Sequence, residues 1–595
     1  MKKLLTLLIV TPLITAQLVA QSVQLENVTK EGFTGIERMG DDGYYVRFIE
    51  GAKGKAKTKL MHIYALDNGL NVVSDFTLEL KSTEKVEDVG YNGENFMIIY
   101  SSYGDRTRTF VVLDKDGEQV AENKATKVNR RLLSKPAAVM PYGKDFLVLN
   151  YIKEKKVGYS IDRYNSNLES VYSVSQLPDK KKLYPVDYRL QNDKIYILEF
   201  LSTGTGTEYF EYHMAAFDAT SGKQLYKNYL KDEDANNSGY ATFVKLDDAG
   251  KVYTGGMYFN GNRTKKNNSD GFFAAVIEAD GKMNFSSTDW KDVKSDLKDE
   301  GNAAFWGGKT KTFVHDLALN GDGSFTVIGE NYRRGSADLA GDKKGASKAL
   351  GVASKVGRLS GGGSDDEPEE TAFTVSSFAL FDFDQSGNFT NIRKVDKPNS
   401  VTIIKDAQDP DDPVYWGQFK GLNLANMLNN KGYFPYRFVA ERSGGEKVLV
   451  FHQRYEPLSK EYLYSTPLSS TDVDTVAVEI SSEELKFQQE LKKQEFENAG
   501  KLGGLGKFAQ KMQKMSDKGN ALTGADKQNE LFLRGSDDPL DFRAKSASVR
   551  TLLSNNKGKI VIYDFMPVET TSKGSLAQMM SNTVGSLKVW EMDVP

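Results

Sequence analysis

The chain has no cysteine. That removes disulfides, thiol nucleophiles and thiolate metal sites at once. Histidine is nearly as scarce. The four, His62, His213, His315 and His452, form neither a His-Glu-x-x-His nor a His-x-His pattern. Each lies in or beside a strand-like run, so each is read as a structural sheet residue, and no metal or cofactor is expected. Proline is sparse, 15 in 595 residues. No interior segment approaches the ~20 apolar residues that a membrane-spanning helix needs. Neither sign of charge dominates: 78 basic residues face 81 acidic ones, a net of -3. A global basic field that draws nucleic acid or anionic lipid is therefore excluded. No Gly-x-Ser-x-Gly elbow occurs. Gly307-Gly308-Lys309-Thr310 almost completes a phosphate-binding loop, but Ala303 stands where that motif needs Gly, and Thr312-Phe313-Val314 reads as a strand rather than a helix.

What the chain does have is Tyr (29), Phe (32) and Gly (53) in number, a mixture that fits an all-β protein. One stretch sets the pattern, Gly90 to Val120. The turn Asn92-Gly93 leads into Phe96-Met97-Ile98-Ile99-Tyr100. A second run, Phe110-Val111-Val112-Leu113, ends at Asp114-Lys115-Asp116-Gly117. Each run reads as a strand, and each turn carries residues that accept the positive φ of tight hairpins. The unit recurs: Tyr44–Ile49 with Asp67-Asn68-Gly69, Phe146–Leu149 with Asn165-Ser166-Asn167, Ile195–Leu198 with Ser221-Gly222, Val252–Thr254 with Asp280-Gly281, Phe325–Ile328 with Asp384–Gly387. A period of about fifty residues suits the four-stranded blade of a propeller. The expected fold is all-β: a single β-propeller of seven or eight four-stranded blades. A closing blade would pair N-terminal with C-terminal strands, since an open ring leaves exposed edges. Tandem β-sandwiches and an open β-solenoid are the alternatives.

Three segments depart from the pattern. Lys2-Lys3, the apolar run Leu4–Leu13 and the small residue Ala20 before Gln21 make residues 1–20 a secretory signal peptide, with an uncleaved anchor helix as the alternative. No Cys follows, which excludes a lipoprotein anchor. The mature chain is expected in a periplasm or outside the cell. Residues 331–371, ending in the acidic run Asp365–Glu370, are too polar to bury a core and are expected to be a mobile loop. From Ser481 to Gly535, Leu485, Leu491 and Phe496, then Leu505, Phe508, Met512 and Met515, recur at helical spacing. A helical insertion is expected there, near the C-terminus. The domains are thus 1–20, blades over 21–480, the insertion over 481–535 and a closing blade over 536–595.

Chemistry is harder to place. Asp382–Gly387 begins like a calcium loop but lacks the later glutamate, and a hairpin turn explains it more simply. Residues that interrupt the strand pattern are the candidates for a binding face: Trp306, Tyr415 and Trp416 in Gly- or Pro-containing segments, His315, and Arg333-Arg334 directly after a strand. The signal peptide, the absence of Cys, the Asn/Lys/Tyr-rich composition and the Asp-x-x-Gly hairpins resemble the uncharacterised secreted propeller-like proteins of Gram-negative bacteria. The resemblance rests on turn signatures and carries no site residues. The expected function is a non-catalytic binding or scaffold module of the cell envelope, with an envelope or secreted protein as partner, or a carbohydrate. The alternative is a propeller-type carbohydrate-active hydrolase or lyase with its site at the central channel.

Overall fold

A computed structural model describes the chain from Ser22 to Pro595 apart from residues 30–32, 34, 50–57, 134, 154–155, 179–181, 203–209, 233, 263–268, 294–309, 337–370, 396, 398–399, 405–424, 426–427, 430–432, 456–459, 470–475, 481–549 and 571–582. The signal peptide and the helical insertion expected from the sequence lie outside these residues.

The strands form eight antiparallel sheets, seven of them built from consecutive strands and the eighth from the last three strands and the first. Blade 1 comprises Gly35–Arg38, Tyr44–Ile49, Thr58–Leu66 and Val72–Lys81; blade 2 comprises Glu84–Tyr91, Asn95–Ser102, Thr107–Asp114 and Gln119–Ala125. Blade 3 takes Ala138–Tyr142, Asp145–Lys153, Val157–Tyr164 and Ser170–Gln176, and blade 4 Lys182–Gln191, Lys194–Ser202, Phe210–Asp218 and Gln224–Tyr229. Blade 5 has Asn237–Leu246, Val252–Asn260, Gly271–Ile277 and Met283–Asp289, with a two-residue strand, Lys231–Asp232, beside the first. Blade 6 has Thr310–Leu319, Phe325–Ser336, Thr371–Phe383 and Phe389–Val395, with Ser400–Ile404 added to its third strand. Blade 7 is Tyr436–Glu441, Lys447–Tyr455, Lys460–Pro467 and Val476–Ile480. Blade 8 joins both ends of the chain: Arg550–Leu553, Lys559–Thr570, Thr583–Asp593 and then Ser22–Thr29, with Leu25 opposite Leu587.

Burial orders each blade radially. Second and third strands carry the buried runs, most completely in Thr107–Asp114 and Gly271–Ile277. Fourth strands are exposed, and Val73, Val120, Val171 and Leu225 stand out of them on the rim. First strands are half-buried and touch one another from blade 2 to 3 and from blade 4 through 8, so they line the centre. The core lies between blades. Ile98 and Phe96 pack with Ile63 and Phe76 of blade 1, Phe378 of blade 6 with Phe451 of blade 7, and Val561 and Leu587 of blade 8 with Tyr44 and Phe48 of blade 1. Both faces of a blade meet a neighbour, which is why the runs are apolar without alternation. Each fully buried Phe contributes about 2–3 kcal/mol.

The disk has two unlike faces. One holds the first-to-second and third-to-fourth connections, all short. Asp67, Asp114, Asn165 and Asp384 each accept, through one side-chain oxygen, the N–H groups two and four residues on, at 2.8–3.0 Å. Three residues after each sits a positive φ: Leu70, Gly117, Leu168 and Gly387. The Asp382–Gly387 stretch is therefore a hairpin turn, with Asp384 committed to its own backbone. Side chains also tie each turn to the next blade. Asn555 Nδ2 donates to the Gly40 carbonyl at 3.1 Å, Asn92 Nδ2 to Lys144 at 2.7 Å, and Asn192 Nδ2 to Asp248 at 3.1 Å. Tyr142 reaches Asp193, Ser74 reaches Lys115, Lys251 reaches Gln385, Lys447 reaches Leu319, and Arg442 reaches Pro595. These bonds cross every one of the eight interfaces. The opposite face holds the second-to-third and fourth-to-first connections, including the long spans from Ser336 to Thr371 and from Ile480 to Arg550. The second strand of blade 6 continues further than the sequence pattern indicates: Asn331–Arg333 pair with the first strand and Tyr332–Ser336 with the third.

Candidate functional site

The inner edge of a first strand has no partner within its own blade, so its N–H groups need acceptors from elsewhere. Five first strands meet this need with a bulge, marked by register shifts between Val86 and Asp88, Pro185 and Asp187, Ala241 and Phe243, Val314 and Asp316, and Tyr436 and Phe438. A bulge re-aims the side chains beside it. Three carry Asp directly after the extra residue. Asp88 Oδ2 accepts the N–H of Val139, in the next blade, at 2.7 Å. Asp316 Oδ2 accepts from the Tyr436 hydroxyl of blade 7 at 3.0 Å, while its Oδ1 meets Lys245 of blade 5 at 3.1 Å. Asp187 pairs with Arg189 of its own strand at 2.5 Å and accepts the N–H of Val244 in blade 5. The repeated x-Asp after a bulge thus staples neighbouring blades around the pore.

The pore wall carries both signs of charge. In blade 1, Glu37 takes the Tyr45 hydroxyl at 2.5 Å and Arg47 at 2.8 Å. Asp88 lies close enough to feel both Glu37 and Arg47; burial above all, with Glu37 adding to it, pushes its carboxyl up to about 6, against the Val139 N–H and Arg47. Tyr188 of blade 4 is also pushed up, by burial first and then by Asp88 and Asp187. Arg550 of blade 8 bonds the Tyr563 hydroxyl and faces Arg437 of blade 7.

A second cluster is buried between blades 6 and 7. Glu330 is fully buried. Its Oε2 accepts from His315 Nε2 at 3.1 Å and from the Tyr436 N–H at 3.4 Å, and its Oε1 lies 3.1 Å from Lys397 Nζ, whose side chain is also 0% exposed. Burial raises the Glu330 carboxyl, but Lys397 and His315 outweigh it and the net direction is down. Burial lowers the Lys397 ammonium against the pull of Glu330. Aromatic rings wall the site: Phe313, Phe434 and Tyr436 lie about the His315 ring at 4.9–5.0 Å, and Phe378 lies 5.5 Å from Lys397 Nζ. Related positions end other second-strand runs. Glu199 follows Ile195–Leu198 and binds Tyr159 and Lys227, each at 2.5 Å; His452 follows Val448–Phe451 and meets Glu461 at 3.2 Å. A polar residue directly after four or five apolar ones is the sequence signal for this buried layer, and reading the runs only for their apolar residues passes over it.

Of the residues singled out from the sequence, His315 is inside the protein, against Glu330, rather than on a rim. Arg333 and Arg334 lie within the second strand of blade 6, opposite Thr374 and Phe373, not after it. Trp306, Tyr415 and Trp416 lie outside the described residues. All four histidines occupy strands. Among the described residues, no group of three His, Asp or Glu is placed to hold a metal ion, and no helix is long and apolar enough to cross a membrane.

No curated protein matches the sequence. Among solved structures, a europium-containing methanol dehydrogenase aligns over 94% of this chain and 93% of its own, at 10% identity and a TM-score of 0.38. The polysaccharide lyase Uly1 aligns over 95% and 100%, at 9% identity and 0.37. The WD40 domain of Toxoplasma gondii coronin aligns over 53% and 72%, at 10% identity and 0.28. Enzymes and a non-enzyme stand side by side, and scores this low say nothing of activity. Residues 1–463 match one sequence family, and on that match the chain belongs to the Family of unknown function (DUF6770).

Proposed function

We propose that the protein is an exported, non-catalytic binding or scaffold module of a bacterial cell envelope, which takes a protein partner on the face of the disk that carries the long connections. The observation that carries this reading is the inequality of the two faces. On one, side chains knit every turn to its neighbour. On the other stand the longest connections of the chain, from Ser336 to Thr371 and from Ile480 to Arg550. Binding residues concentrate on loops held by a rigid scaffold. The apolar stripe of Leu, Phe and Met over 481–535 is the contact proposed within that face. The leader-like residues 1–20 support export, and a core with no cysteine is at home with or without an oxidising compartment. The test is capture from an envelope extract by three forms: the full chain, a form lacking 481–535, and Asn555→Ala/Asn556→Ala on the turn face. A partner lost only with the deletion, while circular dichroism stays unchanged, is the expected result. A partner lost with the turn-face variant instead, or none at all, sinks the reading.

The pore supports a second reading, a carbohydrate-active hydrolase or lyase. Its specific ground is Asp88, raised to about 6 beside Glu37 and Tyr188, because a carboxyl near the working pH suits proton transfer. Release of reducing ends or unsaturated sugars from a polysaccharide panel, abolished by Asp88→Asn, would replace the binding reading with this one.

A further inference from the structure

Two ionisable side chains in this protein have no contact with solvent and face each other across 3.1 Å: Lys397 Nζ and Glu330 Oε1. A buried ion pair of this kind regains little of what its two groups lose on leaving water. The geometry adds a second anomaly. At 3.1 Å the two atoms are in contact but poorly aligned for a hydrogen bond, and neither has another partner among the described residues. Glu330 Oε2, by contrast, is held by two donors, His315 Nε2 and the Tyr436 N–H. The carboxyl group is therefore polarised through one oxygen while an amine is pressed against the other, inside a wall of Phe378, Phe313, Phe434 and Tyr436.

We propose that Lys397 and Glu330 are a site of covalent self-modification, condensing to an intramolecular amide that ties the segment after blade 6 to that blade's second strand. The pair first exchanges a proton, leaving a neutral amine and a carboxylic acid. Burial favours this because it removes both charges, and it moves the lysine in the required direction, while the charges of Lys397 and His315 hold the Glu330 carboxyl down and oppose the exchange. Lys397 Nζ then attacks Glu330 Cδ. Negative charge develops on Oε2, where the His315 and Tyr436 donors receive it. The bond from Cδ to Oε1 breaks, and Oε1 leaves as water with the acid proton and one amine proton. The second amine proton stays on nitrogen as the N–H of the neutral amide. No oxidant, metal or other reagent enters. Holding the two groups in contact supplies the effective concentration that condensation lacks in solution. The product replaces two buried charges by one amide, in a chain that has no cysteine to make any other covalent staple.

Intact-mass measurement of the purified full chain, followed by proteolysis and sequencing of linked peptides, tests this directly. The expected native mass is one water below that of the chain, with a branched peptide joining Lys397 to Glu330. Lys397→Arg restores the full mass. His315→Phe keeps the fold and slows bond formation, so freshly made protein contains both forms. Glu330→Gln, if it links at all, loses ammonia instead of water. A native chain of full mass with no branched peptide after prolonged storage overturns the proposal, and needs no variant to fold. A water lost elsewhere, with residues 330 and 397 in separate peptides, overturns it equally.

Discussion

The two faces of the disk are built by different rules. The turn face is local. An Asp or Asn closes its own loop within five residues, and a side chain reaches one blade further. The opposite face is held by buried polar groups that bridge a blade and the connection to the next. Arg108 is the clearest case. It is 3% exposed, meets Glu87 at 3.1 Å, and donates to the carbonyls of Leu132 and Lys135 at 3.2 and 3.0 Å in the connection to blade 3. The lesson is that one face repeats because each blade solves its own problem, while the other varies because each solution depends on what the neighbour brings.

Breaking the second face should cost most. Arg108→Met leaves the Glu87 carboxylate, 4% exposed, without its cation, and a loss of about 3–5 kcal/mol is expected. Urea denaturation checks it, and a loss under about 1 kcal/mol would mean the network is dispensable. Breaking the turn face sterically comes next. A Cβ at Gly43, where φ is +136°, would lie 2.0 Å from the Leu66 carbonyl oxygen. Gly43→Val should therefore cost about 3 kcal/mol, whereas the same change at Gly104, with open space around it, should cost well under about 1.

Acidity sharpens the comparison further. Asp88 has a folded pKa raised to about 6, so its contribution is complete below the unfolded value near ~4 and is lost as pH rises through 6. The turn carboxylates run the other way. Asp67, Asp218 and Asp384 are lowered, chiefly by Asn71, Ser221 and Asn388. Their contribution is present above the unfolded value and lost as pH falls through the folded one. Stability should then peak in weak acid, gaining on the order of 1 kcal/mol from pH 7 to 5. Asp88→Asn should flatten that gain in urea titrations at each pH; an unchanged slope would move its cause elsewhere. The smallest effect is a single turn: Asp384→Ala removes the one oxygen that accepts two N–H groups in a solvated loop and should cost about 1 kcal/mol, read as a shift in melting temperature.

This division also explains how much the sequence disclosed. Turns such as Asp114–Gly117 and runs such as Phe96–Tyr100 are local, so the hairpins, the blade period and the pairing of the chain's two ends were all legible. The choice of eight blades over seven was not, because blades 7 and 8 lie beyond long spans that break the period. Nor was the inner layer. Asp88, Asp187 and Asp316 look like any acidic residue in a strand until the next blade is in place to donate to them. His315 read as a possible contact for a ligand because nothing near it in sequence reveals Glu330, Lys397 and Tyr436 gathering around it.

Pairing Ser22–Thr29 with Thr583–Asp593 has a consequence in time. Of all the strands described, the one synthesised first is the last to find its partner. Until the final residues are made, the nascent chain holds an unsatisfied edge at each end of an open arc, and both are templates for a neighbour in the same condition. The ring that leaves neither chain end unpaired when finished is at its most adhesive just before it closes, so yield should fall with the concentration of unfinished chains long before it falls with temperature.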